Sequence, residues 1–132
     1  MPRLTGLLET ALYVDNLERS ADFYRSLFDF SVLIADGRLV ALAVPGSQVL
    51  LLFKKGGSLD GAPGGTHDGY GQTHMAFAVP AEEFDAWEAR LQQQGIAITE
   101  RRTWDRGGRS LYFRDPDEHL IELATPGTWA NY

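Results

Sequence analysis

The chain has 132 residues, a formal net charge of −6 and no cysteine. The length suits one domain with a real core, and the acidic balance disfavours a broad phosphate-binding surface, so no nucleic-acid partner is expected. Disulfides, a cysteine nucleophile and thiolate metal ligands are excluded; with no secretory leader and no apolar run near the roughly 18 residues of a membrane span, a cytoplasmic protein without a membrane partner is the expectation.

Residues 8–14 alternate as a strand, with Glu9, Ala11 and Tyr13 on one face and Thr10, Leu12 and Val14 on the other. A helix follows. Asp15 stands three residues before Glu18, which predicts a capping box, and Leu17, Ala21, Tyr24 and Phe28 recur at helical spacing. Three strands are predicted near 31–35, 38–44 and 48–53. Asp36-Gly37 and Pro45-Gly46-Ser47 supply the turns between them. Residues 54–71 are glycine-rich and lack an apolar period, so they form a connecting loop long enough to act as a lid.

The second half repeats this order. Residues 72–79 predict a strand, Pro80 opens a helix whose buried face is Phe84, Trp87 and Leu91, and Gly95 stops it. Strands near 96–100, 109–114 and 119–125 complete it, with turns at Gly107-Gly108 and Asp115-Pro116-Asp117. The expected fold class is α+β: two βαβββ modules, about 8–53 and 72–125, in one domain. Residues 11–14 match 76–79 at an offset of 65, which places His74 on Glu9. Pairing two such modules buries the face that each would leave open.

The chain has three histidines, and only His74 lies inside an alternating strand. Glu122 interrupts the apolar run 120–124, and a buried carboxylate must be paired, solvated or bound to metal. Aligning 45–51 on 116–122 sets Leu51 at the position of Glu122. Four repeat-related positions therefore hold Glu9, His74, Glu122 and Leu51. Three are ligand types that suit one divalent ion, such as Zn, Ni, Mn, Fe or Co, with positions left for substrate. The structural alternatives are a satisfied strand histidine, a solvated Glu9, and a Glu122 paired with Arg109 or Arg114. Tyr112 points either into a pocket as a hydrogen-bond or proton donor, or into the core. His67-Asp68 belongs to the loop, and His119, beside a turn, is expected to face solvent or the loop. Among the basic spots Lys54-Lys55, Arg101-Arg102, Arg106 and Arg109, one arginine is a candidate to hold an anionic ligand.

Residues 11–30 (ALYVDNLERSADFYRSLFDF), 67–79 (HDGYGQTHMAFAV) and 110–123 (SLYFRDPDEHLIEL) resemble the vicinal oxygen chelate superfamily, over nearly the whole chain. That superfamily includes glyoxalase I, fosfomycin resistance transferases, extradiol dioxygenases and bleomycin resistance proteins. The resemblance implies paired βαβββ modules forming a metal-binding cavity, a metal held by Glu9, His74 and Glu122, and a homodimer. The fourth family position matches Leu51, a glutamate in glyoxalase I. Three-ligand members carry histidine where this chain has Glu9. Tyr112 falls where extradiol dioxygenases keep an active-site tyrosine, so Glu9, Glu122 and Tyr112 are the candidate catalytic residues. The expected function is a metal-dependent glyoxalase-like enzyme, of isomerase, lyase or transferase type, acting on a small oxygen-rich substrate. The alternatives are a bleomycin-resistance-like binder of small molecules without catalysis, and an extradiol-type dioxygenase.

Overall fold

Apolar residues at alternate positions build the first sheet around one helix. In the computed structural model, which describes residues 1–132, the strands are β1 (Glu9–Val14), β2 (Val32–Ala35), β3 (Leu39–Val44) and β4 (Gln48–Lys54). Their order in the sheet is β1-β4-β3-β2, with β1 and β4 parallel and the other pairs antiparallel. A parallel pair needs a long crossover, and here α1 (Leu17–Phe28) and the β2–β3 hairpin lie between its strands. Leu12, Val14, Val40, Leu42, Leu50 and Leu52 are buried on one face, and α1 adds Ala21, Tyr24 and Leu27. The opposite face carries Glu9, Ala11 and Tyr13 from β1, with Leu51 and Phe53 from β4.

Helix α1 starts one residue later than a cap at Asp15 would give. Asn16 is the N-cap: its extended backbone lets the side-chain oxygen accept from the Arg19 amide at 3.0 Å. Asp15 instead pairs with Lys55 at 3.1 Å. The helix ends at Asp29, a left-handed cap with φ 60°.

The second set of elements repeats the first. Strands β5 (His74–Ala78), β6 (Ile98–Thr103), β7 (Arg109–Arg114) and β8 (Leu120–Ala124) form a sheet in the order β5-β8-β7-β6, with β5 and β8 parallel. Pro80 caps a 3-10 turn that leads into α2 (Phe84–Gln93), whose Phe84 and Leu91 are buried. Salt bridges pin α2 to the sheet, Glu88 to Arg101 and Asp85 to Arg109, and the Arg109 guanidinium lies 4.1 Å from the Phe84 ring centre. The repeat extends to irregularities: the register shifts at Val32/Ile34 in β2 and at Ile98/Glu100 in β6. The sixth strand runs to Thr103, so Arg101 and Arg102 are strand residues and not loop residues. The chain divides into two compact units, Met1–Tyr70 and Gly71–Tyr132. No helix is long and apolar enough to cross a membrane.

His119 is not on the surface. It is 2% exposed. The Asp115 carboxylate folds back over the turn and accepts from the backbone amides of Asp117 (3.0 Å) and His119 (2.9 Å). Its second oxygen accepts from His119 Nδ1 at 2.8 Å. The carboxylate thus satisfies a buried imidazole and two turn amides at once, and it fixes where β8 begins.

Candidate functional site

Register lays out the polar face of the second sheet. Parallel pairing sets His74 beside Leu120 and Ala76 beside Glu122. Antiparallel pairing sets Tyr112 beside Glu122 and Ser110 beside Ala124, and β6 adds Glu100 opposite Tyr112 and Arg102 opposite Ser110. His74, Glu122, Tyr112, Ser110 and Arg102 thereby share a face, with small Ala76 leaving room beside the first two.

Three contacts define the centre of this face. His74 Nδ1 lies 2.8 Å from the Leu120 carbonyl oxygen. A carbonyl only accepts, so Nδ1 carries a proton, and Nε2 is the ring atom left to meet a proton or a metal ion. That Nε2 lies 3.3 Å from Glu122 Oε2, while Glu122 Oε1 accepts from the Tyr112 hydroxyl at 3.0 Å. Glu122 is 7% and Tyr112 9% exposed; the histidine is half exposed. Burial first, and then the Glu122 carboxylate, hold the Tyr112 phenol above its ordinary value of 10.0. Tyr112 therefore stays protonated near neutral pH and donates to Glu122.

A neutral His74 would set an imidazole lone pair against a carboxylate oxygen. Such a contact needs a cation on it, either a proton or a metal ion. The donor set fits a metal: two ligand atoms each about 2.1 Å from one ion stand about 3.0–3.4 Å apart in octahedral or tetrahedral geometry. A histidine whose far nitrogen is tied to a backbone carbonyl is the usual arrangement of a metal-binding imidazole. The structure gathers His74 and Glu122 but no group of three His, Cys, Asp or Glu side chains positioned around one ion. His74 and Glu122 alone do not make a defined metal cavity.

Glu9 stands at the exposed start of β1 in the first unit, on the face of Ala11 and Tyr13. The in-sheet registers match the repeat: Ala11 faces Leu51 as Ala76 faces Glu122. Neither arginine offered as a partner of Glu122 reaches it. Arg109 goes to Asp85, and Arg114 donates to the Glu118 carbonyl. His67 and Asp68 bind within the first unit, to Tyr13 and to the Gly56 amide.

One feature of this face escaped the sequence. The Arg102 guanidinium lies 4.8 Å from the Trp104 ring centre, and the Trp104 indole N–H donates to Ser110 Oγ at 2.8 Å. Against the dominant upward effect of burial on the Tyr112 pKa, Ser110 and then Arg102 act to lower it, and register places Arg102 opposite Ser110, two residues along the strand from Tyr112. The signal was the parity of Arg102, Ser110 and Tyr112, which is visible only once β6 is extended to Thr103.

Comparison with known proteins places these residues in context. The family model for the Glyoxalase/Bleomycin resistance protein/Dioxygenase superfamily matches residues 6–123. Among curated proteins, the metallothiol transferase FosB of Bacillus licheniformis is 30% identical over 124 residues, covering 93% of this chain and 77% of the relative. The fosfomycin resistance protein FosX of Listeria innocua is 28% identical over 128 residues, covering 91% and 89%. Among solved structures, a lactoylglutathione lyase from Agrobacterium tumefaciens superposes with a TM-score of 0.91 at 30% identity, covering 98% of this chain and 99% of that one.

Proposed function

Because the chain belongs to the Glyoxalase/Bleomycin resistance protein/Dioxygenase superfamily, we propose that it is a divalent-metal-dependent glyoxalase-like enzyme acting on a small, oxygen-rich, anionic substrate. Its relatives include enzymes by name, a metallothiol transferase and a lactoylglutathione lyase, and this supports an enzymatic role. The observation that carries the metal is the opposition of His74 Nε2 and Glu122 Oε2 at 3.3 Å, with Nδ1 already committed to a carbonyl. Glu9 is the proposed third ligand, and a homodimer is the proposed assembly.

The metal would be held by His74, Glu122 and Glu9, and when bound it would supply Lewis-acid polarisation of substrate oxygens. The chain's own residues have separate tasks. Leu120 fixes the tautomer of His74. Tyr112 keeps one Glu122 oxygen occupied, so the other remains directed at His74. A Glu9 or Glu122 oxygen released by its partner takes a substrate proton as general base. Arg102, propped by Trp104, binds the substrate anion, since a stacked guanidinium loses little freedom on pairing with a carboxylate or phosphonate.

Two assays test the reading on metal-loaded protein: fosfomycin with a thiol, and lactoylglutathione. Turnover of either, abolished in His74→Ala and Glu122→Gln, is the expected result. Binding of fosfomycin or lactoylglutathione without turnover would overturn the enzyme reading. It would favour a second one, a small-molecule binder similar to the bleomycin resistance members, for which exposed Trp129 and the stacked Trp104 offer aromatic surface.

A further inference from the structure

The turn that leads into β8 is held by side chains as well as by backbone. Asp115 and His119 are both buried. The Asp115 amide donates to the His119 carbonyl at 3.2 Å, and the Glu118 amide donates to the Asp115 carbonyl at 3.0 Å. The Asp115 carboxylate answers with two bonds, accepting from the His119 amide and from His119 Nδ1. Arg114 donates to the Glu118 carbonyl at 3.0 Å. Glu118 needs this support: it carries a side chain at φ 65°, a left-handed conformation that favours glycine.

The chain of bonds runs on into His74. Leu120 follows His119 directly. Its amide donates to the Thr73 carbonyl at 2.8 Å, and its carbonyl accepts from His74 Nδ1 at 2.8 Å. Where that carbonyl sits decides how the ring is turned and which nitrogen stays free for a metal ion. The tolerance is small, because an N–H···O bond weakens beyond about 3.2 Å. His119 lies on the core side with Ile121 and Leu123, opposite to Glu122. The Asp115–His119 pair therefore stands behind the sheet and acts only through the backbone.

The first unit shows the same turn without the pair. The alignment that sets Leu51 on Glu122 also sets Val44 on Asp115 and Gln48 on His119. That turn closes with Gly46 at φ 86° and Ser47 at φ 60°. The equivalent backbone bond still forms, from the Val49 amide to the Leu8 carbonyl at 3.0 Å. Strand pairing at this place therefore does not require an Asp–His pair. The unit that lacks the pair has Glu9 beside Val49, and an ionised carboxylate has no N–H to give a neighbouring carbonyl. The unit that has the pair carries the histidine.

We infer that Asp115 and His119 are positioning residues for His74: by locking the turn, they set the Leu120 carbonyl where it holds the His74 ring with Nδ1 protonated and Nε2 toward Glu122. The consequence for metal binding rests on the metal reading of His74 and Glu122. The hold on the ring itself is a property of the metal-free protein.

The test uses full-length protein carrying nitrogen-labelled histidine, with zinc as the probe. The ring signals of His74 are assigned from His74→Ala. Metal-free wild type should show His74 held with Nδ1 protonated. In His119→Leu that form should give way to a mixture of tautomers, and zinc affinity by calorimetry should fall about tenfold, the low end of what losing an outer partner costs. His119→Asn, whose amide N–H donates to the Asp115 carboxylate in place of the imidazole, should recover most of both. Leu27→Ala, at a buried position of α1, controls for lost stability and should change neither readout. All are measured at a temperature where circular dichroism shows the variants folded. If His119→Leu does not fold, Asp115→Asn, which keeps an acceptor for the two turn amides, is read in the same way with the same expectation. Unchanged ring signals or unchanged zinc affinity in the folded variant would overturn the inference and leave the pair as a turn fastening only, as would a wild-type His74 without a fixed Nδ1–H. If wild type itself binds no zinc, the metal reading fails, and the ring signals of metal-free protein alone decide the inference.

Discussion

At the scale of single residues, the candidate site rests on which atom holds a proton. The Leu120 carbonyl forces the Nδ1–H form of His74, and Tyr112 occupies one oxygen of Glu122. Glu122→Gln keeps the volume but removes the charge that balances a cation. Its metal affinity should fall further than the about 10–100-fold typical of losing an outer partner, as read by calorimetric titration with Mn or Zn. Tyr112→Phe removes such an outer partner, and its loss should lie within that range. Tyr112 also sets a pH limit. Its folded pKa is raised above 10.0, chiefly by burial, so the folded state binds this proton more tightly than the unfolded chain. That stability is fully present below pH 10.0 and is lost as pH rises through the folded value. Denaturant midpoints measured across this range should fall in wild type and fall less steeply in Tyr112→Phe. Arg102→Ala should raise KM for an anionic substrate about tenfold or more, as expected for a charge-assisted hydrogen bond, with a smaller change in kcat; an unchanged KM would remove Arg102 from substrate recognition.

At the scale of elements, strand parity made most of the architecture legible. The alternation at 9–14 separated the core face from the Glu9 face, and an apolar run broken by one glutamate marked β8. The repeat offset aligned Leu51 with Glu122, and the two sheets have matching registers at those positions. Local competition between neighbours was less legible. Asp15 and Asn16 are both good caps, and only the backbone at Asn16 decided between them. Asn16→Ala should cost about 1 kcal/mol by chemical denaturation, whereas Asp15→Ala, which loses an exposed ion pair with Lys55, should cost less. The burial of His119 was hidden because it depends on the Asp115 carboxylate turning back over its own loop, a contact that spacing does not encode. Polar residues 99–103 concealed the length of β6, and with it the position of Arg102 beside Tyr112. Packing is the larger contribution to each sheet: Leu50→Ala, at a fully buried position, should destabilise by about 2–5 kcal/mol.

At the scale of the whole molecule, two βαβββ units recur with the same strand order and the same position of register shift. Duplication explains why ligand-type residues far apart in sequence occupy related positions, and why one of the four is apolar Leu51. The units differ in what their equivalent faces carry. The first offers Glu9 and the Tyr13–His67 pair on an apolar sheet, and the second offers His74, Glu122, Tyr112 and Arg102. A metal-dependent reading requires Glu9 to join His74 and Glu122, so metal stoichiometry is the quantity to measure. Protein purified without an affinity tag, loaded with Mn or Zn and desalted, is analysed by mass spectrometry beside Glu9→Ala, His74→Ala and Glu122→Gln. The expected result is about one metal per chain in wild type, as for a three-ligand site, and loss in all three variants. Full metal content in Glu9→Ala would remove the third ligand, and wild type that holds no metal after loading would contradict the metal-dependent function itself.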